Sequence, residues 1–318
     1  MRSSPPVQLS ACIRPIFKAL PSTRIIGSWL FGLLVFTTNA QPRDTTSVVK
    51  SHIPLGIVAG GSALVIGGTL IALDQAWYQQ YERVPFQTFN DGDEWLQMDK
   101  VGHAFSTYTV GRWGKGLLDL TGVDPRVSTW VGGSLGFLYL TGVEYLDGRS
   151  AGWGFSWWDM AANAAGTGLF IGQELGWGEQ RIRLKYSTHL TSYAEQNPDL
   201  LGSTTPQRIL KDYNGATYWL SVNPSLFAHR QGPWSWLNVA FGYGAEAMVH
   251  GTPSAEDLAL YGAPYRQYYF SLDIDLERIP TRSKVLRTTL FLLNCIKVPS
   301  PTLEYQSNGK WVGHWLYF

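Results

Sequence analysis

IPLGIVAGGSALVIGGTLIAL, residues 53–73, runs from end to end without a charge. At 1.5 Å rise per residue a helix of this length reaches across a hydrocarbon core of about 30 Å. Its five glycines suit close packing against another helix. The stretch predicts a membrane helix, with a buried helix of a water-soluble core as the alternative. Asp74, Trp77, Tyr78 and Tyr81 follow at once, as expected where aromatic rings meet the headgroup layer.

Upstream, Arg14, Lys18 and Arg24 precede the apolar run IIGSWLFGLLVF, residues 25–36, and then Ala40. A basic flank, a short apolar run and small residues are the pattern of an export signal cleaved near Ala40, with an uncleaved first membrane helix as the alternative. No cysteine stands just after that run, which argues against a lipid anchor on the processed end. If Cys12 leaves with the signal, Cys295 is a lone thiol, read as a buried small hydrophobe.

The composition agrees with an envelope location. Of 318 residues only 15% are charged, 45% are hydrophobic, 14% are aromatic and 34 are glycine. Soluble domains carry nearer 25% charge. The net charge of +1 comes from scattered residues and gives no nucleic-acid footprint. The chain divides into a signal peptide (1–40), a polar linker (41–50), a helical membrane-associated core (51–180) and a mixed segment (181–318).

Within the core, helical spacing over 93–118, starting near Asp91 or Asp93, sets Asp99, His103 and Thr107 in line, with Lys100 beside them and Arg112 further on. The next apolar run, 127–143, has a start signal in Asp124-Pro125 and ends at Glu144, Asp147, Gly148 and Arg149. In WGFSWWDMAANAAG, Ser156 is placed to cap a third helix with Asp159 at its N3 position, and Asp159, Asn163 and Gly166 share a face. These spacings predict one polar cluster of Asp99, His103, Glu144, Arg149, Asp159 and Asn163 between helices.

The order Asp-Lys-x-x-His, then Glu before Gly-Arg, then Asp-x-x-x-Asn-x-x-Gly resembles the VanZ-like membrane protein superfamily over about residues 93–178. WGFSWWDMAANAAG, YNGATYWLS and GYGAEAM resemble more closely the DUF2279 proteins of the bacterial envelope, described as YfiM-like lipoproteins. The resemblance implies a glycine-packed helical core in a cell-envelope protein and no secure reaction. The chain departs from the lipoprotein description in having no cysteine at the processing site.

The fold expected is therefore mainly α-helical, VanZ-like, with a small C-terminal antiparallel β element. Residues 180–217 read as connection and short helices. RQYYFSLDIDLERI, 266–279, alternates Phe270, Leu272, Ile274 and Leu276 with Ser271, Asp273, Asp275 and Glu277, as a strand does. KVLRTTLFLLNCIKV, 284–298, reads as a last helix and WVGHWLYF as an interface anchor. A complete outer-membrane barrel is disfavoured, since too few strands of this kind are visible.

Candidate catalytic residues are His103, Asp99, Glu144 and Asp159. Lys100, Arg149, Asn163 and Gly166 are candidates for a ligand site or polar cluster. Imidazole and carboxylates suit a divalent metal, but the spacing matches no known metal motif, so neither metal nor cofactor is expected. The function expected is a noncatalytic structural or assembly role in the envelope. The alternative is a protein that binds lipid or cell-wall precursor, or a phospholipid- or glycolipid-modifying enzyme using His103 as base. Membrane lipid and an envelope protein or second copy are the expected partners, with no nucleic acid. The location expected is the bacterial cell envelope, membrane-associated and exposed to the periplasm.

Overall fold

The computed structural model describes residues 53–78, 81–229 and 232–318. The export signal expected at 1–40 and the linker at 41–50 lie outside the described residues. Helix α1 (Leu55–Leu73) is the one helix among the described residues long and apolar enough to cross a membrane. Only Val58 within it is buried, and its five glycines face open space, so they do not serve the close packing their number suggests. Leu70 supplies one contact with α4, since its Cδ1 would lie 3.0 Å from a Cβ added to Gly142.

The helical layer is built around α2 (Met98–Asp119). The short α3 (Pro125–Val127) is capped by Asp124, which accepts from the Arg126 and Val127 amides, and leads into α4 (Leu135–Asp147). Ser156 caps α5 (Trp157–Trp177) by accepting from the Asp159 amide, as the Ser-Trp-Trp-Asp spacing requires. Glycines let these helices meet almost backbone to backbone. A Cβ on Gly166 of α5 would lie 2.0 Å from the Ala104 carbonyl oxygen of α2, and one on Gly136 of α4 would lie 2.4 Å from that of Thr107.

Residues 94–97 are not the first turn of α2. Trp95, Leu96 and Gln97 all have positive φ, at 49°, 49° and 64°. Non-glycine residues adopt this region at a cost, and fixed partners hold them there. The Trp95 amide donates to the Gly251 carbonyl, Tyr243 donates to the Leu96 carbonyl, and Arg266 donates to the Gln97 side chain.

The C-terminal part corrects the expectation of a mainly helical chain. After a two-residue parallel pair, β1 (Thr88–Phe89) with β2 (Phe155–Ser156), six strands form one antiparallel sheet in sequence order. They are β3 (Ile182–Thr188), β4 (Ala216–Val222), β5 (Leu237–Glu246), β6 (Tyr265–Ile274), β7 (Ser300–Gln306) and β8 (Trp311–Tyr317). Short helices α6 (Pro198–Leu201), α7 (Thr205–Lys211), α8 (Pro224–Phe227) and α9 (Ala255–Tyr261) and the longer α10 (Lys284–Leu293) fill the connections. The fold is mixed α/β. The segment read as connection contains β3, and the aromatic end read as an anchor is β8.

The sheet also reverses the usual polarity. Ser271, Asp273 and Asp275 are buried, whereas Phe270 and Leu272 are exposed. The buried face carries Lys185, Ser221, Asn238 and Asp273 in one hydrogen-bonded set: Lys185 pairs with Asp273 at 2.7 Å, and Ser221 bridges Asp273 and Asn238. Tyr317 of β8 reaches Thr217 of β4 and Tyr269 of β6, so the sheet curls around this polar face.

Candidate functional site

The site lies where α2, α4 and α5 converge beneath the 81–93 connection. That connection is fastened to the α4–α5 turn by bonds from the Val84 amide to the Arg149 carbonyl and from the Gln87 amide to the Gly148 carbonyl. It thereby delivers Asp91, which sequence spacing placed only near a helix start. Asp91 accepts from the Ser156 hydroxyl at 2.5 Å and from Lys100 at 2.5 Å.

Lys100 occupies the closed half of the site. Its Nζ lies 2.5 Å from Asp91, 2.7 Å from Asp99 and 2.8 Å from Asp159. Burial pulls the ammonium down, but the three carboxylates outweigh it and hold Lys100 above its ordinary range. Hydrogen bonds from Lys100 and Ser156 likewise overcome burial at Asp91, whose carboxyl is pushed below its usual value.

His103 occupies the other half, one helical residue group away. Its Nδ1 lies 3.0 Å from Asn163 Oδ1; because that oxygen only accepts, Nδ1 carries the proton. Nε2 therefore faces Asp99 at 3.7 Å, Glu144 at 3.7 Å and Asp159 at 3.9 Å. None of these is a hydrogen bond. Three acceptors around one ring nitrogen repel its lone pair and attract a positive charge. Burial pulls the His103 pKa down, yet Asp99, Asp159 and Glu144 together raise it.

The carboxylates respond in turn. Burial lifts Glu144 to about 8, with His103 and the Ser156 amide, 3.0 Å from Oε2, offsetting only part of it. Burial and then Asp99 also raise Asp159. Behind them Asp147, which accepts from Tyr78 at 2.7 Å, is lifted by burial to about 6. The side chains of Asp99 and His103 keep 21% and 16% of their surface exposed, while Glu144 keeps 2%, so the His103 half opens toward solvent past Asp99.

The structure thus brings together Asp99, Lys100, His103, Glu144, Asp159 and Asn163. Gly166 contributes the thin contact that lets α5 lie against α2. Arg149 stands apart: it lends its backbone to the 81–93 connection, and its side chain enters none of the described ion pairs. Sequence reasoning missed the parts played by Asp91 and Tyr213; the Tyr213 hydroxyl donates to Asp99 at 3.0 Å from the far side of the chain. The only signal for Tyr213 was its place in YNGATYWLS. Asp99, His103 and Asp159 each offer a ligand atom, all within 4.8 Å of one another, a spacing open to a metal ion.

Residues 88–171, which contain the site's residues from Asp91 to Gly166 but not Tyr213, match the model of a family described as "Predicted periplasmic lipoprotein (DUF2279)". Comparison with curated proteins and with solved structures finds no match. The match supports an envelope, periplasmic location and names no reaction; the VanZ-like likeness rests on motif order alone.

Proposed function

We propose that this is a noncatalytic cell-envelope protein whose helical segment is clamped by Lys100 and responds to a positive charge taken up beside His103. The observation that carries the proposal is His103 Nε2 facing three carboxylate oxygens at 3.7–3.9 Å with no hydrogen bond among them. Lys100, in contact with three carboxylates, is a complete structural joint. The His103 half is complete only with a proton on Nε2 or a divalent cation between the donors.

A cation held about 2.0–2.2 Å from oxygen and imidazole nitrogen keeps its ligands roughly 3–4 Å apart, which is the spacing around Nε2. The donor set of carboxylates and one imidazole suits Mn²⁺ or Zn²⁺. Asn163 at Nδ1 supplies the outer partner that metal-binding histidines generally have. The experiment is calorimetry of the full chain in detergent with Mn²⁺ and with Zn²⁺. One equivalent should bind with release of protons, and His103→Gln should abolish binding while leaving thermal unfolding near wild type. Failure of both ions, with loss of stability in His103→Gln, would reduce the cluster to a helix clamp.

An acid–base reading draws on Glu144, whose carboxyl titrates near neutrality beside a partly open imidazole. It requires that His103→Gln and Glu144→Gln abolish turnover of an envelope lipid or phosphoester in an assay where Lys100 is intact.

A further inference from the structure

We infer that the outer face of the C-terminal sheet lies against the acyl chains of a lipid bilayer. The observation is the reversal of polarity strand by strand. Across β4 to β7 the residues pointing away from the buried polar face include Tyr218, Leu220, Val222; Leu237, Val239, Phe241, Tyr243; Tyr268, Phe270, Leu272, Ile274; and Pro301, Leu303, Tyr305. The one charge on this side of these strands, Arg266, is turned to Gln97 and Tyr243 under the helical layer. Water-soluble sheets bury such a face and solvate the other; strands in lipid carry apolar residues outward and polar ones inward.

The rows are in register. Tyr218, Tyr243, Tyr268, Tyr305 and Trp311 pair in one row across five strands. Its β4 and β5 members lie under the helical layer, Tyr218 against Phe105 and Gly102 of α2 and Tyr243 bonded to the Leu96 carbonyl, so Tyr268, Tyr305 and Trp311 are the rings the row presents outward. The next row, Leu220–Phe241–Phe270–Leu303, is aliphatic and phenyl. Beyond Val239 and Leu272, at the opposite end of β5 and β8, stand the exposed Trp234 and Trp315, the latter 92% exposed. Over β6 to β8 the order is Tyr268, Tyr305 and Trp311, then Phe270 and Leu303, then Leu272 and Trp315, with rings that suit an interface on either side of hydrocarbon side chains.

The inward face meets most of the cost of membrane burial internally, since Lys185 pairs with Asp273, Ser221 donates to Asp273 and Asn238 donates to Ser221, leaving the Asn238 Oδ1 without a partner. The edge of β3 is partly closed by the 295–297 segment, through bonds from the Tyr186 amide to Cys295 and from the Lys297 amide to Tyr186. β8 ends the sheet, and unpaired backbone is costly in hydrocarbon, so the inference concerns the face presented by β4 to β7. It is independent of α1, which could hold the chain at a membrane with this face in water.

The test places single labels on the full chain with Cys12 and Cys295 replaced by serine. Phe270→Cys and Leu303→Cys report the outer face and Ser271→Cys the inner one, each carrying an environment-sensitive fluorophore. The protein is reconstituted into phosphatidylcholine vesicles containing lipids spin-labelled either near the headgroup or deep in the chain. Deep-labelled lipid should quench positions 270 and 303 at least twofold while aqueous iodide leaves them unchanged, and position 271 should respond to neither. Should a labelled variant fail to fold, Phe270→Trp in the same vesicles, read with brominated lipid against wild type, replaces it. Quenching of 270 and 303 by iodide alone would put the face in water and overturn the inference. Protection from both quenchers would mean that protein covers it, and would overturn it equally.

Discussion

His103 Nδ1 lies 3.0 Å from Asn163 Oδ1, a bond between α2 and α5 that fixes the imidazole with Nε2 turned toward Asp99, Glu144 and Asp159. Asn163 is fully buried, and its Nδ2 has no hydrogen-bond partner. Asn163→Leu should free the ring to turn, alter the nitrogen-15 shifts of His103, and weaken cation uptake. Because one donor is already unsatisfied, the loss of stability should be modest, about 1–2 kcal/mol by chemical denaturation.

Lys100→Met should cost more, about 3–5 kcal/mol, since it leaves Asp91, Asp99 and Asp159 close together without their counter-charge. His103→Gln should cost much less at neutral pH. Equal losses in the two variants would contradict the division of the cluster into a clamp and an uptake site.

The pH dependence has a definite sign. The folded chain keeps the Glu144 proton up to about 8, whereas an unfolded glutamate loses it near 4.5, so between those values the folded state binds more protons. That contribution is full below about 4.5 and is lost as pH rises through 8. Asp159 and His103, both raised, act in the same direction; Asp91, lowered, adds stability that disappears only as pH falls through its folded value. Unfolding free energy measured from pH 5 to pH 9 should decline, and Glu144→Gln should flatten the curve and be the more stable protein at pH 9.

Much of the helical site was legible because its signals are local. Four-residue spacing aligned Asp99 with His103 and Asp159 with Asn163, and Ser156 announced its own helix. Asp91 and Tyr213 were not legible, since each reaches the site through a loop or a distant segment whose path no periodicity encodes. The sheet was under-read for a different reason. In IRLKYST, β3, the buried positions are Arg183, Lys185 and Ser187, and in β6 the exposed ones are Tyr268, Phe270 and Leu272, so alternation read with the usual polarity points the wrong way. Tyrosines on both faces, such as Tyr268 and Tyr269, blur the period further.

Glycine positions separate packing from composition. Gly166→Ala should strongly destabilise the chain, because the added methyl would sit 2.0 Å from the Ala104 carbonyl oxygen. Gly168→Ala, with nothing within 4 Å of the new Cβ, should instead gain up to about 1 kcal/mol from helix propensity. Thermal unfolding of the two variants side by side distinguishes them.

The central claim is that a positive charge belongs between His103 Nε2 and its three carboxylates, and nitrogen-15 NMR of the imidazole reads it directly. Titrated without divalent ions, the ring should keep the shifts of a protonated imidazolium to a higher pH than an ordinary histidine, and saturating Zn²⁺ should move Nε2 alone to a metal-bound value while Nδ1 keeps its proton. A ring that loses its proton at or below the ordinary histidine range and that Zn²⁺ leaves unchanged would contradict the account.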